Sequence, residues 1–355
     1  MNIEVLLWCI VVIIALFCYF CNKYCKEKFF MALKNQDCDT LKQIMKYSNA
    51  YVNHKDNECI PLETAVKQQN EKIINLLFEN GADANIKDND GNTILSIAIS
   101  AENCQNMVKL LIKNGANINS KNKKGQTVLF GAVNNGKKDI IELLLKNGAE
   151  VNSQDETGET VLFEAVRNSK KDIVELLLKN GARVDIKDNN GATVLFDAVC
   201  DSKKSIVELL IKNGADVNAQ NNDGATPLFF SILNDKAIAE FLIKKGANVN
   251  AVTTNKMTTL AIAINNNKDD IVELLLTNGI DTAAKNEALQ IAKQNKYQNI
   301  VDILVRYGAR DIERNVQQAA PVASSSRRRI VNNESPHITN TTNSNNTNPG
   351  RRIEL

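Results

Sequence analysis

Histidine, proline and aromatic residues are scarce in this chain, and so is any excess of one charge. Only His54 and His337 occur in 355 residues, which removes most histidine-based acid–base schemes and most zinc sites. Of the five prolines, Pro61 and Pro227 lie in the body and Pro321, Pro336 and Pro349 near the C-terminus. The body is therefore free to be mostly helix, and the end is something else. The net charge is +2 and aromatics make up 5%, so no bulk field exists to hold a polyanion and no nucleic acid is expected as a partner. A disulfide framework is also lacking. Of eight cysteines, Cys9, Cys18, Cys21 and Cys25 crowd the first 25 residues while Cys38, Cys59, Cys104 and Cys200 are scattered, as in a reduced, intracellular-type domain.

What is abundant first is apolar character at the start. From Val5 to Cys21 no residue is charged, and eleven are Leu, Ile, Val or Phe. As a helix this run spans roughly 26 Å of a ~30 Å hydrocarbon core, and the insertion scale gives it about −3 to −6 kcal/mol. It reads as a single-pass transmembrane anchor, residues 1–25, with the lipid bilayer as partner of residues 5–21. A cleaved signal peptide is an alternative, but Met1-Asn2-Ile3-Glu4 is not a basic start and Tyr19-Phe20-Cys21-Asn22 is a poor cleavage site. A buried core helix is the other alternative. Lys23, Lys26 and Lys28 follow the run and only Glu4 precedes it, which places the short N-terminus outside and all that follows in the cytoplasm. Cys18, Cys21 and Cys25 would stand at the membrane edge as plain cysteines, as acylation sites at Cys21 and Cys25, or as part of a metal site for which no fourth ligand is near.

The second abundance is periodic. Gly81, Gly115, Gly148, Gly181, Gly214, Gly246 and Gly279 recur every 32 to 34 residues, and six of the seven open a Gly-Ala pair. Gly91, Gly125, Gly158, Gly191 and Gly224 form a parallel series, each followed by x-Thr-x-Leu, in units reading GNTILSIAI, GQTVLFGAV, GETVLFEAV, GATVLFDAV and GATPLFFSI. A fixed period of this length predicts a stacked array. Within one unit, Thr226 is placed to cap a helix whose first turn holds Pro227. After a polar break, DIVELLLKNGA gives a second helix with Asp172 near its positive end and Asn180-Gly181 as a left-handed stop. Ile173, Leu176 and Leu177, with Val174 and Leu178, form the wide apolar arc of a helix buried between neighbours. Such short helices are marginal alone and hold through stacking.

These units resemble the ankyrin-repeat family, whose pattern is G-x-T-P-L-H-x-A followed by I-V-x-L-L-L-x-x-G-A. The resemblance covers about residues 27–311, in nine units: an atypical first, seven beginning near Asp56, Asn89, Lys123, Glu156, Asn189, Asn222 and Thr254, and a last from about Glu287 to Arg310. Two departures stand out. The family's first-helix His is replaced by Phe130, Phe163, Phe196 and Phe229, which either pack inside the stack or form an exposed stripe for a partner. Proline survives only at Pro61 and Pro227. The resemblance implies an all-α repeat solenoid over residues 26–311 with hairpin fingers, and a protein partner bound by the fingers and the concave face of the first helices. Carried over residue by residue, it points to Lys123, Lys124, Gln126, Asn134 and Asn135 in unit four and Glu156, Thr157, Glu159, Arg167 and Asn168 in unit five. Unit six adds Asn189, Asn190, Cys200 and Asp201, and unit seven Asn222, Asp223, Leu233 and Asn234. This strip turns from basic to acidic, which suits a protein better than a phosphate backbone.

Chemistry finds little footing. Gly131-Ala-Val-Asn-Asn-Gly136-Lys137-Lys138 has phosphate-loop spacing, but Lys138 stands where the magnesium-binding hydroxyl belongs, and the stretch falls in a helix-turn-helix. His54 has Asp56 and Glu58 nearby but no nucleophile tied to it, and reads as a solvated loop residue. Glu142, Glu175, Glu208 and Glu273 repeat once per unit as an exposed face. No catalysis, cofactor, metal or small-molecule substrate is expected. Residues 312–355 hold six Arg, three Glu and mostly Gln, Ser, Asn and Thr, the composition of a disordered tail. Its Arg327-Arg328-Arg329 run could meet anionic lipid, nucleic acid or a kinase, and Asn340 and Asn345 would be glycosylated only in a secretory lumen. The function expected is a membrane-anchored, non-catalytic scaffold for a protein partner; the alternative is an exported effector with a cleaved signal, acting in another compartment or host.

Overall fold

The computed structural model describes residues 21–54, 60–102 and 104–311. The expected anchor up to residue 20, its topology, the start of unit two near Asp56 and the expected tail lie outside these residues. Among the described residues no helix is long and apolar enough to cross a membrane.

The described chain is a run of antiparallel helix pairs. α1 covers 21–34 and pairs with α2 (Cys38–Tyr47). There follow α3 (Pro61–Lys67) and α4 (Glu71–Glu79), α5 (Ile94–Ser100) and α6 (Gln105–Lys113), α7 (Val128–Asn134) and α8 (Lys138–Lys146), and α9 (Val161–Arg167) and α10 (Lys171–Lys179). Then come α11 (Val194–Cys200) and α12 (Lys204–Lys212), α13 (Pro227–Asn234) and α14 (Lys236–Lys244), α15 (Thr259–Asn265) and α16 (Asp269–Thr277), and α17 (Thr282–Gln294) and α18 (Gln298–Arg306). First helices stack on first helices, as α7 on α9 and α9 on α11, and second on second, as α10 on α12. The all-helical solenoid of nine units expected from the glycine period is thus observed.

The packing follows from the repeated residues. Leu129, Leu162, Leu195 and Leu228 are buried, as are Ala132, Ala165 and Ala198, whose small side chains let neighbouring first helices approach. Each buried leucine removes apolar surface worth about 1.5–3 kcal/mol from water. In α10, Ile173, Val174 and Leu177 are buried while Leu176 and Leu178 are half-buried, the wide arc expected of a helix with neighbours on two sides. Phe130, Phe163, Phe196 and Phe229 are all buried, which decides for packing and against an exposed stripe.

Three expectations are corrected. Threonine caps its helix through its hydroxyl at Thr93 and Thr258, but not at Thr127, Thr160, Thr193 or Thr226. Thr226 and Thr160 are instead buried with hydroxyls that find no partner. The last unit does not begin near Glu287: α17 starts at Thr282 and runs 13 residues, since its sequence lacks the finger glycine and the helix extends back through the space. His54 is not a freely solvated loop residue but half-buried, its ring 6.4 Å from that of Phe30.

Between units the chain is tied by three recurring side-chain devices. The first is an asparagine clasp. Asn152 Nδ2 donates to Gly181 O at 2.9 Å while its Oδ1 accepts from Arg183 N at 2.8 Å; Asn85, Asn119, Asn218 and Asn250 do the same one unit apart. The series breaks at Asp185, whose carboxylate cannot donate and is held instead by Arg183 Nε and Nη2 at 3.0 and 2.7 Å. That pair keeps the Asp185 carboxyl below its ordinary range. The second device is a lysine at the N-cap of a second helix. Lys170 Nζ donates to Asn134 O at 2.7 Å and Lys203 Nζ to Val166 O and Arg167 O at 2.8 Å. Each ammonium thus caps the negative end of the preceding unit's first helix. Unit seven has one residue between its helices where unit six has three; there Asp235 caps α14 and Asn234 Nδ2 reaches Cys200 O at 3.1 Å in place of the lysine. The third device is a rung along the finger bases, where Lys87 Nζ donates to Lys121 O, Lys121 Nζ to Gln154 O and Lys187 Nζ to Gln220 O.

Candidate protein-interaction surface

The fingers of units three to seven are each organised by one Asn or Asp. Asp155 Oδ1 accepts from Thr157 N at 2.9 Å and Glu159 N at 3.1 Å, an Asx turn that fixes the tip. Asn122, Asp188 and Asn221 repeat it in units four, six and seven. The tips are then laced by backbone. Glu156 N donates to Lys124 O at 3.0 Å, Asn189 N to Thr157 O at 2.9 Å, Asn222 N to Asn190 O at 2.9 Å and Thr254 N to Asp223 O at 2.9 Å. Such close approach explains the second glycine series. Gly158 has φ +80°, and a Cβ there would lie 2.8 Å from Asn189 N and 2.6 Å from Asn189 Oδ1, so the site needs glycine for both its conformation and its neighbour.

This lacing separates the residues the sequence proposed for partner contact into two groups. One group is already engaged inside the protein. Asn189 Nδ2 donates to Glu156 O at 2.8 Å and Asn222 Nδ2 to Asn189 O at 3.0 Å, so both are struts between tips. Thr157 Oγ1 donates to Asp155, Asn190 Nδ2 reaches Asp188 at 3.4 Å, Asn168 Nδ2 donates to Glu164 at 2.9 Å, and Asp201 pairs with Lys203 at 2.7 Å. Gln126 Nε2 and Asn134 Oδ1 make only long contacts of 3.5 Å. Leu233 is half-buried, Asn234 is the substitute helix cap, and Cys200 lies half-buried at the end of α11. The other group is exposed, and its side chains meet no polar partner among the described residues: Lys123, Lys124, Asn135, Glu156 and Asp223.

On the first helices, the position after the repeated Phe changes from unit to unit: Gly131, Glu164, Asp197, Phe230. Gly131 carries no side chain where its neighbours do, and beside it lies a cavity of about 230 Å³ lined by Asn92, Ser96, Ile97, Ser100 and Gln126. Next to it Arg167 gathers carboxylates. Its Nη1 donates to Glu159 Oε1 at 2.6 Å and its Nη2 to Glu159 Oε2, with Glu164 and Asp197 each at 3.4 Å. The bidentate bond to Glu159 keeps Arg167 protonated far above its ordinary range. Asp197 receives less of that charge than it loses in hydration: burial, with Glu159, Asp188 and Asp201 adding repulsion, raises its carboxyl to about 7. Burial, aided by Asp197 and Asp201, pushes the Cys200 thiol up to about 12, which keeps it unreactive at neutral pH. Phe230 stacks edge-on to Phe196, centroids 5.7 Å apart.

Glu164, Asp197 and Phe230 escaped the sequence reading, although variation at one slot of an otherwise repeated helix marked them. The phosphate-loop spacing dissolves in space: Gly131 is inside α7, Gly136 turns the chain at φ +68°, and Lys137 Nζ donates to Ile99 O at 2.7 Å and also to Ala101 O. Cys21 and Cys25 differ: Cys21 is exposed, whereas Cys25 packs against the core, and burial, with Cys21 alongside, raises its thiol.

No curated protein matches the chain. A family model described as ankyrin repeats, three copies long, matches in overlapping placements residues 29–122, 100–188, 129–221, 180–253, 195–286 and 250–316. These ranges run from α1 to beyond α18, over the laced fingers and every helix pair, and with them the chain belongs to the ankyrin-repeat family.

Proposed function

We propose that the chain is a membrane-tethered scaffold that binds a protein through the fingers and concave face of units four to seven. The observation that carries the binding half is the presentation of unpartnered Lys123, Lys124, Glu156 and Asp223 on tips whose backbone is laced in place. A rigid display of this kind spares the partner most of the ordering cost of association. The graded face, with a dent at Gly131, carboxylates around Arg167 and an aromatic at Phe230, suits a segment carrying a small apolar side chain followed by a basic one. The tethering half rests on the uncharged run from Val5 to Cys21 and the lysines after it, with the solenoid on the cytoplasmic side. Acylation, where it occurs, falls on exposed Cys21 and not on Cys25.

Alkaline carbonate extraction and protease protection of the C-terminally tagged chain in its own cell, with and without residues 1–25, tests the tether. Membrane retention that the truncation abolishes is the expected result. A soluble, protected or extracellular mature chain would replace the tether by an export signal. For the surface, Lys123→Ala, Lys124→Ala, Glu156→Ala and Asp223→Ala together should weaken capture of a cross-linked cellular partner at least tenfold without changing the circular dichroism; unchanged capture refutes the finger assignment.

A further inference from the structure

The first unit exposes several large apolar side chains. Tyr24, Met31 and Tyr47 are 65, 62 and 84% exposed, three of the five large hydrophobic residues so exposed among the described residues. Two of them share one end of the unit. Tyr24 is in the first turn of the described part of α1 and Tyr47 is the last residue of α2. The chain beyond Tyr47 folds back on the start of α1, since the Tyr51 hydroxyl donates to Asn22 O at 3.0 Å and its ring lies 5.8 Å from that of Phe29. Tyr24 and Tyr47 therefore stand at the end of the hairpin where residues 1–20 join it.

Lys23 and Lys46 are exposed at that end, with Lys46 Nζ 5.9 Å from the Tyr47 ring centroid. The opposite tip carries both signs, Lys34 with Asp37 and Asp39, and there Asp37 caps α2 through Thr40 N. The helix is already formed at residue 21, the last of the uncharged run, so Tyr24 lies three positions, ~4.5 Å of helix, beyond it. Tyrosine is amphipathic and settles at the headgroup level of a bilayer, and lysines beside it reach anionic lipid.

We propose that the end of the first unit bearing Tyr24, Tyr47, Lys23 and Lys46 seats on the anionic lipid surface of the membrane that residues 5–21 enter. This rests on the tether proposed above. The seat fixes the angle of the array to the bilayer, so that the fingers face a constant direction and do not swing on a linker.

The single tryptophan, Trp8, lies in the uncharged run and lets the seat and the tether be tested apart. Full-length protein is reconstituted in vesicles of phosphatidylcholine with phosphatidylserine whose acyl chains are brominated near the headgroup or near the tail. Quenching of Trp8 by tail-brominated lipid reports the tether. In a Trp8→Phe background, Tyr47→Trp is expected to lose about half its emission to headgroup-proximal bromine, and Val305→Trp, exposed on α18, none. Adding Lys23→Glu and Lys46→Glu should return the residue-47 probe to the level of the residue-305 probe. Quenched Trp8 with an unquenched probe at 47 overturns the seat and leaves the tether. Unquenched Trp8 overturns the tether and the seat with it, and quenching at 47 that ignores the lysine changes overturns the role given to anionic lipid.

Discussion

Asp185→Asn should stabilise this protein at one seam. The clasp that Asn152 makes across units, to Gly181 O at 2.9 Å and from Arg183 N at 2.8 Å, recurs at Asn218 with 3.0 and 2.7 Å. Between them Asp185 occupies the same place and bonds only to Arg183. At neutral pH its carboxylate can accept but not donate, so the Gly214 carbonyl opposite gets no donor from it, and with both its oxygens turned to Arg183 it leaves the Asp216 amide unclasped as well. Restoring the amide adds two hydrogen bonds at about 0.5–1.5 kcal/mol each. The solvated Arg183 pair given up contributes little. A net gain of about 1 kcal/mol should slow exchange of the Asp216 amide roughly fivefold. Hydrogen exchange read by mass spectrometry on the detergent-solubilised chain measures this, with the Glu150 amide, already clasped by Asn119 at 2.9 Å, as internal control. The reverse change, Asn152→Asp, removes the donor to Gly181 O and should cost about 0.5–1.5 kcal/mol. If Asp216 exchanges equally in both proteins and Asn152→Asp is silent, the clasp contributes nothing and the units are held by side-chain packing alone.

Two further predictions concern the core and the concave face. Leu177→Ala removes a fully buried side chain between two neighbouring units and should lower stability by ~2–5 kcal/mol in urea denaturation; a loss below ~1 kcal/mol would mean α10 presents a different face inward. Asp197 keeps its proton in the folded state to about pH 7, whereas in the unfolded chain an aspartate titrates near ~3.9. The folded form therefore binds more protons across that interval, and stability falls as pH rises through it. Asp197→Asn, which imitates the protonated form, should match the parent near the acidic end of the interval and exceed it by up to ~4 kcal/mol above about pH 8, about three pKa units at ~1.36 kcal/mol each; a difference that does not grow with pH refutes the assignment.

The fold was legible because the glycines repeat: a Gly-Ala pair every 32 to 34 residues leaves few architectures that bury apolar arcs on both sides of a two-turn helix. The clasp asparagines were equally periodic, four residues after Gly81, Gly115, Gly148, Gly214 and Gly246, but a polar residue in a turn reads as solvated until its partner one unit away is known. The lysines at the N-caps of second helices were harder still, because each looks unfavourable for its own helix and acts on another. The contact surface was legible only as a region. Asn189, Asn222 and Arg167 look like available polar residues in sequence, and it takes the stacking to show that they are struts and a charge hub. Nothing in the order of residues distinguishes them from Lys123 or Glu156, which stand free.

The ties between units also govern how the chain is made. None of the hydrogen bonds described above joins residues further apart than the 38 positions between Lys137 and Ile99, so every loop that must close is short and costs little entropy. Low contact order of this kind favours rapid folding and lets ordering begin at several places along the array. On a ribosome the early units could pack before the later ones are synthesised, each new pair adding one interface to a surface already formed.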